Sequence, residues 1–301
     1  MARHFASALI ICLVAALPVR AEGDENGSSI RVALVQLDAS DVGNFQKIEA
    51  FAKQAKQLGA ELVIFPEASS FGWLNPKAFT DADPIPGVRA SKFAAVAINA
   101  KIWVATGLEE RGPKADGGAN AFHAYDSGIL INPQGEIVLH DRQHNVVKNA
   151  FDQGACRSAF GVDECSYSPG PLSDIKVAKT PFGRTAMLVC ADAYTYDLAS
   201  LQALKAQSPE FVIIPWGITA GSQAECGTEG FNATGYAAKA AKYLETAYVM
   251  GANGVGERRY GRFLPSWYCG TSGFATPTGD VGGVADTAQG IAVFDIPTKA
   301  H

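Results

Sequence analysis

The sequence contains little charge, few histidines and no cluster of basic residues. Only 18% of its 301 residues are charged, and the formal net charge is −5. Proteins that bind nucleic acid usually present a concentrated patch of lysine and arginine, so this balance argues against a nucleic-acid partner. The spacing of His123, His140 and His144 does not form a metal-binding pattern. We therefore expect a site without a metal or another cofactor.

Long apolar runs are missing beyond the amino terminus. Residues 5–17 are almost entirely apolar, follow Arg3, and precede the segment Pro-Val-Arg-Ala at 18–21. The run is too short to span a bilayer, which needs roughly twenty residues, and it is typical of a secretory signal peptide. We predict a signal peptide at 1–21, with an uncleaved anchor as the alternative. The mature chain would be one domain over 22–301, secreted or periplasmic, with no membrane partner.

The cysteine count is odd once the predicted signal peptide is removed. Six cysteines are present, and Cys12 lies in that segment. Cysteines of exported proteins tend to pair, so one of the remaining five needs another explanation. Four lie in loop-like sequence, and their proximity favours Cys156 with Cys165 and Cys226 with Cys269, although three connectivities are open. Cys190 ends an apolar strand and is either an inert buried thiol or a reactive one.

The hydrophobic pattern predicts an α/β fold. An apolar strand at 30–37 is followed by a helix at 42–58 and by a strand at 61–65 that Pro66 stops. This β-α-β order implies parallel strands joined by a right-handed crossover. The later pattern predicts helices at 88–100, 196–206 and 236–246, strands at 102–107, 184–190, 211–214 and 248–252, and hairpins with turns at 133–135 and 277–279.

One short segment nearly repeats. Residues 61–66 read Glu-Leu-Val-Ile-Phe-Pro and residues 210–215 read Glu-Phe-Val-Ile-Ile-Pro, each after a predicted helix. The segment occurs only twice, and its two copies lie too far apart for a solenoid, which is built from many short repeats. The sequence therefore predicts two similar halves around one core, in a single domain.

Three residues with chemical potential follow predicted strands directly. Glu67 follows Pro66, Trp216 follows Pro215, and Cys190 ends the strand at 184–190. The carboxyl ends of parallel strands line the ligand crevice of an open α/β sheet, so these side chains are expected to meet. Glu67 would then be a base for the Cys190 thiol, and the backbone N–H of Ala191 would hold an oxyanion. Taken alone, Glu67 is equally consistent with an exposed carboxylate at a strand end.

Several segments together resemble the nitrilase, or carbon–nitrogen hydrolase, superfamily over essentially the whole mature chain. Residues 61–67 (ELVIFPE) resemble the strand that ends in the family's catalytic glutamate, and 183–192 (GRTAMLVCAD) resemble its nucleophile segment. Residues 125–135 (YDSGILINPQG) resemble the hairpin that leads to its lysine. Residues 248–253 (YVMGAN) and 270–279 (GTSGFATPTG) are similar to two later signatures.

The resemblance implies a fold and a set of site residues. The fold would be a four-layer α-β-β-α sandwich of the nitrilase type, commonly a homodimer that associates through its outer helices. The catalytic triad would be Glu67, Lys148 and Cys190. The position where the family usually places its lysine is Gln143 here, but Lys148-Asn-Ala-Phe resembles the sequence that follows the family's lysine. Supporting roles are implied for Glu164, Ala191, Asp192 and Trp216.

The implied function is hydrolysis of a non-peptide carbon–nitrogen bond in a small amide. Glu67 would take the proton of Cys190, and the thiolate would attack the substrate carbon to form a thioester that water then hydrolyses. A nitrilase that acts on a nitrile would use the same triad, and an acyltransferase would pass the thioester to an amine. An alternative of a different class is a catalytically inactive binding protein with the same fold, which the glutamine at 143 would favour.

Overall fold

The computed structural model describes residues 28–114, 122–152, 154, 165–195, 197–262 and 264–298. Its helices are α1 Phe45–Gln57, α2 Val88–Ala100, α3 Ala199–Lys205 and α4 Ala233–Leu244. The strands of the first half are β1 Ser29–Gln36, β2 Leu62–Ile64, β3 Trp103–Lys114, β4 Phe122–Ile131 and β5 Ile137–Arg142. The later strands are β6 Val177–Thr180, β7 Gly183–Met187, β8 Phe211–Ile213, β9 Thr219–Ala220, β10 Tyr248–Gly251, β11 Val255–Glu257, β12 Trp267–Cys269, β13 Gly273–Ala275, β14 Val281–Gly283 and β15 Gly290–Pro297.

Two six-stranded sheets share one pattern of strand directions. The first has the order β15-β1-β2-β3-β4-β5, and the second, starting from its other edge, has the order β6-β7-β8-β10-β13-β14. In each sheet the second, third and fourth strands are parallel, and the remaining neighbours are antiparallel. The near-repeat at 61–66 and 210–215 forms the third strand of each sheet, as the prediction of two similar halves requires.

Alternation along the strands explains how the layers form. In β1, Val32 and Leu34 enter a core cluster between the two sheets, while Ala33 and Val35 enter a second cluster with residues of α1 and α2. A third cluster joins the outer face of the second sheet to α3 and α4. Successive strand residues face opposite sides, so a strand covered on both faces is apolar throughout. The predicted α-β-β-α sandwich is confirmed.

The element boundaries differ from the prediction where caps and tertiary pairing decide them. Helix α1 begins after Asn44, whose side chain accepts the N–H of Lys47. The prediction missed β15, which pairs antiparallel with β1 over its whole length. It also missed the three-stranded sheet β11-β12-β9, whose strands have only two or three residues each.

One predicted disulfide is present. Cys226 and Cys269 are bonded, with an S–S distance of 2.06 Å. The proposed partner of Cys165, Cys156, lies outside the described residues, so that pair remains a prediction. The same holds for the signal peptide at 1–21. Within the described ranges, no helix is both long and apolar enough to cross a membrane.

Candidate active site

Cys190 occupies a strained turn at the carboxyl end of β7. It opens a short 3-10 turn, Cys190–Ala193, and its φ of 37° lies in the left-handed region. A residue other than glycine adopts this region at a cost, and such strain is concentrated at functional sites. The side chain is 4% exposed, and the backbone N–H of Gly217 points at its Sγ from 3.4 Å. The turn therefore holds the thiol in a fixed place beside a donor that can stabilise a thiolate.

Glu67 reaches the same place from the equivalent position of the first sheet. Its backbone N–H donates to the carbonyl oxygen of Trp216 over 3.1 Å, so the residues that follow the two repeated strands are in contact. The carboxylate is 5% exposed and lies against Gly217, where a Cβ would come within 1.7 Å of Glu67 Oε2. Only glycine at 217 leaves room for this carboxylate. The predicted meeting of strand ends brings Glu67 to Cys190.

Gln143 is the third side chain of the candidate site, beside Cys190 and Glu67. It continues β5 by one residue, and its backbone N–H donates to the carbonyl oxygen of Asp126 over 2.8 Å. Because strand side chains alternate, Gln143 shares the face of Leu139, which packs between the sheets. Its Nε2 donates to Glu67 Oε1 over 3.2 Å and to the carbonyl oxygen of Val189 over 3.3 Å. Gln143 thereby links Glu67 to the segment that follows β7 and carries Cys190.

The structure does not bring Lys148 to the site, and this corrects the predicted placement. Residues 147–149 are exposed, and Lys148 does not line the cavity next to Cys190. The length of β5 fixes which residue enters the site, and no insertion separates the hairpin from Gln143. The chain has left the sheet by 148 and returns to the interior only at Ala150 and Phe151. Glu164, the other charged residue predicted near the site, lies outside the described residues.

Asp192 ties the nucleophile turn to the end of β5. It is 1% exposed, and its Oδ1 accepts the backbone N–H groups of His144 over 3.0 Å and Asn145 over 2.8 Å. Ser200 Oγ donates to the same oxygen over 3.2 Å. Burial raises the pKa of Asp192 to about 6, although these donors act in the opposite direction. Asp192 therefore connects the turn that carries Cys190 to the residues that follow Gln143, and its supporting role remains a prediction.

Two sets of carboxylates line the two faces of the first sheet. On the helix-facing side, Glu110 accepts bonds from Arg142 Nη2 over 2.5 Å, from Ser127 over 2.7 Å and from His140 over 2.8 Å. Burial alone would raise the pKa of Glu110, but these partners hold it at about 2. This set is a paired network that lies away from the cavity.

On the face between the sheets, Asp126 and Asp141 lack such partners, whereas Glu109 accepts hydrogen bonds from Ser70 Oγ and from the backbone N–H of Phe71. Asp126 and Asp141 are at most 2% exposed, and none of their four carboxylate oxygens has a hydrogen-bond donor within the described structure. Glu67 Oε2 is in the same situation. Burial, followed by the charge of Glu67, raises the pKa of Asp126 well above its ordinary range. Two buried carboxyl groups that interact in this way titrate as a pair.

Burial also shifts the two groups that would carry the chemistry. It raises the pKa of Glu67 to about 7, against the hydrogen bond from Gln143, which lowers it. Burial and the charge of Glu67 raise the pKa of the Cys190 thiol well above its ordinary range. A thiol in these surroundings reacts only when a neighbouring base removes its proton. Glu67 is in contact with the thiol and is near the midpoint of its titration at neutral pH.

The cavity beside Cys190 has a volume of about 200 Å³ and an aromatic wall. Its walls include Trp73, Tyr194, Phe231 and Tyr236, and the rings of Tyr194 and Tyr236 stack with centroids 4.4 Å apart. Trp216 is fully buried behind them, with its ring centroid 6.4 Å from that of Tyr194. Ala191 also lines the cavity with Cys190, and its role as an oxyanion donor remains a prediction. Trp216 supports the wall and the Glu67 backbone.

Sequence reasoning missed Gly217 and Asp126. Gly217 follows Trp216 directly, and a glycine next to a predicted site residue is a signal for close approach of another group. Asp126 stands two residues before Gly128 in β4 and pairs in register with Glu109. Its side chain points towards the other sheet because of its place in the alternation of side chains along β4, which the sequence alone did not reveal.

Known proteins share this architecture. The family model described as Carbon-nitrogen hydrolase matches residues 31–300. A nitrilase of Pyrococcus abyssi (strain GE5 / Orsay) is 24% identical over 284 residues, which cover 89% of this chain and 90% of that protein. A formamidase of Bacillus cereus (strain Q1) is 37% identical over 90 residues, 29% of this chain and 25% of the formamidase. The chain thus matches about a quarter of the formamidase's length.

A solved structure agrees with the fold. The amidase from Nesterenkonia sp. AN1, with the acetamide moiety of fluoroacetamide added covalently at its active-site cysteine, is 20% identical and has a TM-score of 0.67. The similarity covers 90% of this chain and 92% of the amidase chain. With the family model matching residues 31–300 of 301, the chain belongs to the carbon–nitrogen hydrolase family, the nitrilase superfamily.

Proposed function

We propose that this protein is an amidase-type hydrolase that cleaves a carbon–nitrogen bond with Cys190 as its nucleophile and Glu67 as its base. The observation that carries the proposal is the arrangement at Cys190. Its strained turn presents the thiol to the Gly217 N–H at 3.4 Å and to Glu67, whose pKa burial raises to about 7. A nucleophile in contact with a base of that pKa is suited to proton transfer at neutral pH.

The steps follow from the groups in contact. Glu67 takes the thiol proton, and the thiolate attacks the substrate carbon to form a tetrahedral intermediate. The backbone N–H of Ala191, which lines the cavity, is the donor we assign to the developing charge, while Gln143 Nε2 already donates to Glu67 and to the carbonyl oxygen of Val189. Glu67 then gives its proton to the departing nitrogen. It next takes a proton from the water that releases the acid from the thioester.

A small substrate suits the cavity volume of about 200 Å³, which is below the range typical of drug-sized ligands. The similar amidase from Nesterenkonia sp. AN1 was solved with butyramide and with acrylamide, both small amides. A nitrile is the alternative substrate, favoured by the nitrilase among the relatives.

Export and assembly complete the proposal. We assign 1–21 as a signal peptide and 22–301 as the hydrolase domain, secreted or periplasmic. The Cys226–Cys269 disulfide supports this, because disulfides persist mainly in oxidising compartments. We also propose a homodimer through the outer helices, where Val88 and Ile98 of α2 are 61% and 48% exposed.

A second candidate is an inactive binding protein of the same fold. The observation that favours it is Gln143, a neutral side chain at the place where the resemblance predicts a lysine. Such a protein would retain the cavity and bind a small ligand without turnover.

One experiment separates the two. A panel of small amides and nitriles is incubated with the protein, and ammonia and acid are measured, with Cys190→Ala as the control. Acid from an amide that depends on Cys190 supports the amidase, and acid from a nitrile supports the nitrilase. The absence of any Cys190-dependent product, together with saturable ligand binding, would replace the hydrolase proposal with the binding protein.

A further inference from the structure

We propose that the reacting carbon of the natural substrate carries a positive charge, as in an amidinium or guanidinium group. This inference rests on the proposed function: it accepts hydrolysis through Cys190 and names the class of electrophile. The feature that carries it is the neutral Gln143 amide, which donates to Glu67 and to the carbonyl oxygen of Val189 in a cavity where Glu67 is the one charged lining residue among those described.

The charge that develops during attack differs between the two classes of substrate. A thiolate that adds to a neutral amide produces an oxyanion, which a nearby cation stabilises. A thiolate that adds to an amidinium removes both charges, because the positive carbon accepts the sulfur's electron pair. The tetrahedral intermediate is then neutral and needs no cationic partner. The Gln143 side chain therefore fits an amidinium better than it fits an amide.

The charge of the site agrees with this class. Glu67 lines the cavity, and its Oε2 has no hydrogen-bond donor among the described residues. No lysine, arginine or histidine in that part of the chain lines the cavity. Arg258 stacks on the ring of Trp73 at 5.2 Å and donates to the carbonyl oxygen of Arg262 over 2.6 Å, outside the lining. Buried carboxylates without partners are costly, and a bound cation with several N–H groups would relieve that cost.

The cavity wall and the side-chain amide of Gln143 suit the shape of an amidinium cation. An amidinium is planar and carries only N–H donors, and Glu67 Oε2, 95% buried with its residue, is an acceptor beside the thiol. A glutamine also offers an acceptor oxygen, whereas a lysine offers only donors. The stacked pair of Tyr194 and Tyr236 adds ring faces to the cavity, and such faces attract cations.

The reaction balances without another reactant. Glu67 takes the Cys190 proton, the sulfur bonds to the amidinium carbon, and Glu67 passes the proton to one nitrogen, which leaves as ammonia. A positively charged thioimidate remains. Water adds to it while Glu67 takes one proton, the carbon–sulfur bond breaks, and the sulfur recovers a proton from the new hydroxyl. The proton that Glu67 took from water then passes to the released ammonia, so the net change is amidinium plus water to amide plus ammonium; a guanidinium would give a urea in the same way.

Two alkylating reagents of nearly the same shape test the recognition. Chloroacetamide is neutral and chloroacetamidine is a cation, and each forms a thioether by losing chloride. The rate of adduct formation at Cys190, measured by intact mass at neutral pH, is divided by the rate for N-acetylcysteine. We expect the normalised rate to be at least about tenfold higher for the cation, because opposite charges attract strongly in a buried site.

Variants decide whether Gln143 is responsible. Gln143→Lys should lower the amidine-to-amide ratio at least about tenfold, because it places a like charge beside the reagent. Lys148→Gln, which removes an exposed charge outside the cavity, is the matched control and should leave the ratio unchanged. A wild-type ratio of one or less, or a ratio that Gln143→Lys does not move, overturns the proposal.

Turnover distinguishes this inference from the proposed function. Ammonia release from acetamidine and from acetamide is measured in parallel, with Cys190→Ala as the control. Faster release from acetamidine supports both proposals. Release from acetamide alone overturns the inference and leaves the amidase proposal standing. Selective alkylation by the cation without turnover of either substrate supports cation recognition and overturns the hydrolase.

Discussion

The side-chain amide of Gln143 donates a hydrogen bond to Glu67 Oε1 over 3.2 Å, so the base of the candidate site is paired with a neutral group. A cation at the same distance would stabilise the carboxylate and lower its pKa. With Gln143 there, burial is the dominant influence and raises the pKa of Glu67 to about 7. The glutamine thus keeps the base able both to accept and to release a proton near neutral pH.

The first prediction concerns the placement of Gln143 and Lys148. Gln143→Ala should lower turnover of the best substrate at least about tenfold, because it removes a hydrogen-bonding group beside Glu67. Lys148→Ala should leave turnover within about twofold, because this exposed side chain is not part of the cavity. Steady-state kinetics measure both. Loss of turnover in Lys148→Ala, with the fold intact by circular dichroism, would restore the lysine to the site.

The second prediction uses the contact between Gly217 and Glu67. In Gly217→Ala the new Cβ would lie 1.7 Å from Glu67 Oε2, so the carboxylate must move. A shift of about 1 Å at a reacting group typically costs about a hundredfold in rate, and we expect a loss of that size. Gly235→Ala is the matched control: it lies in α4, and its Cβ would meet nothing closer than 3.6 Å. Equal activity in the two variants would mean that Glu67 does not work from this position.

The third prediction concerns stability and pH. The pKa of Glu67 is raised from 4.5 to about 7, and burial also raises those of Asp126 and Asp141. At pH values between the ordinary pKa of each group and its raised pKa, the folded protein holds a proton that the unfolded chain releases. The free energy of unfolding therefore falls as pH rises. Stability from Glu67 is fully present below its ordinary pKa of 4.5 and is lost as pH rises to about 7, a change of about 3 kcal/mol. The contributions of Asp126 and Asp141 change in the same direction.

Asp126→Asn tests this account. The variant keeps the size of the side chain, removes one buried acid and offers Glu67 an N–H donor. Its free energy of unfolding, from urea titrations at several pH values, should exceed that of the wild type at pH 8 and decline less between pH 5 and pH 8. Equal slopes in the two proteins would show that Asp126 keeps its ordinary pKa.

The fourth prediction concerns the disulfide. Cys226 and Cys269 close a loop with a sequence separation of 43 residues. The loop-entropy relation gives a stabilisation of about 4 kcal/mol for that length. The double variant Cys226→Ser/Cys269→Ser should therefore have a free energy of unfolding, measured by urea titration, that is lower by this amount. A loss below about 1 kcal/mol would indicate that the disulfide does not restrain the unfolded chain.

Strand placement was largely predictable because apolar runs and their stop signals are local. The prolines that follow 61–65 and 211–214, with Cys190 at the end of its own strand, placed Glu67 and the thiol at one edge. The pairing register of the strands, and the sheet face to which each side chain points, were harder to predict from the sequence. Gln143 enters the site because it shares the face of Leu139 in β5, and this depends on pairing with β4.

The same limit explains the unpredicted elements. Strand β15 forms because it pairs with β1 at the other end of the chain, and a contact so distant leaves no local signal. Gly217 is required because of the approach of Glu67, a residue of the other half. In contrast, the pair Cys226–Cys269 was chosen on sequence proximity and is confirmed.

The most direct test of the central claim is the alkylation of Cys190 by iodoacetamide, followed by peptide mass spectrometry across pH. We predict a single rapid modification at Cys190 in the native protein, with a rate that rises as pH passes about 7, where Glu67 gives up its proton. Glu67→Gln should slow it at least about tenfold and remove the rise near pH 7. A native Cys190 that does not react, or one that reacts equally fast in Glu67→Gln, would contradict the assignment of Cys190 and Glu67 as nucleophile and base.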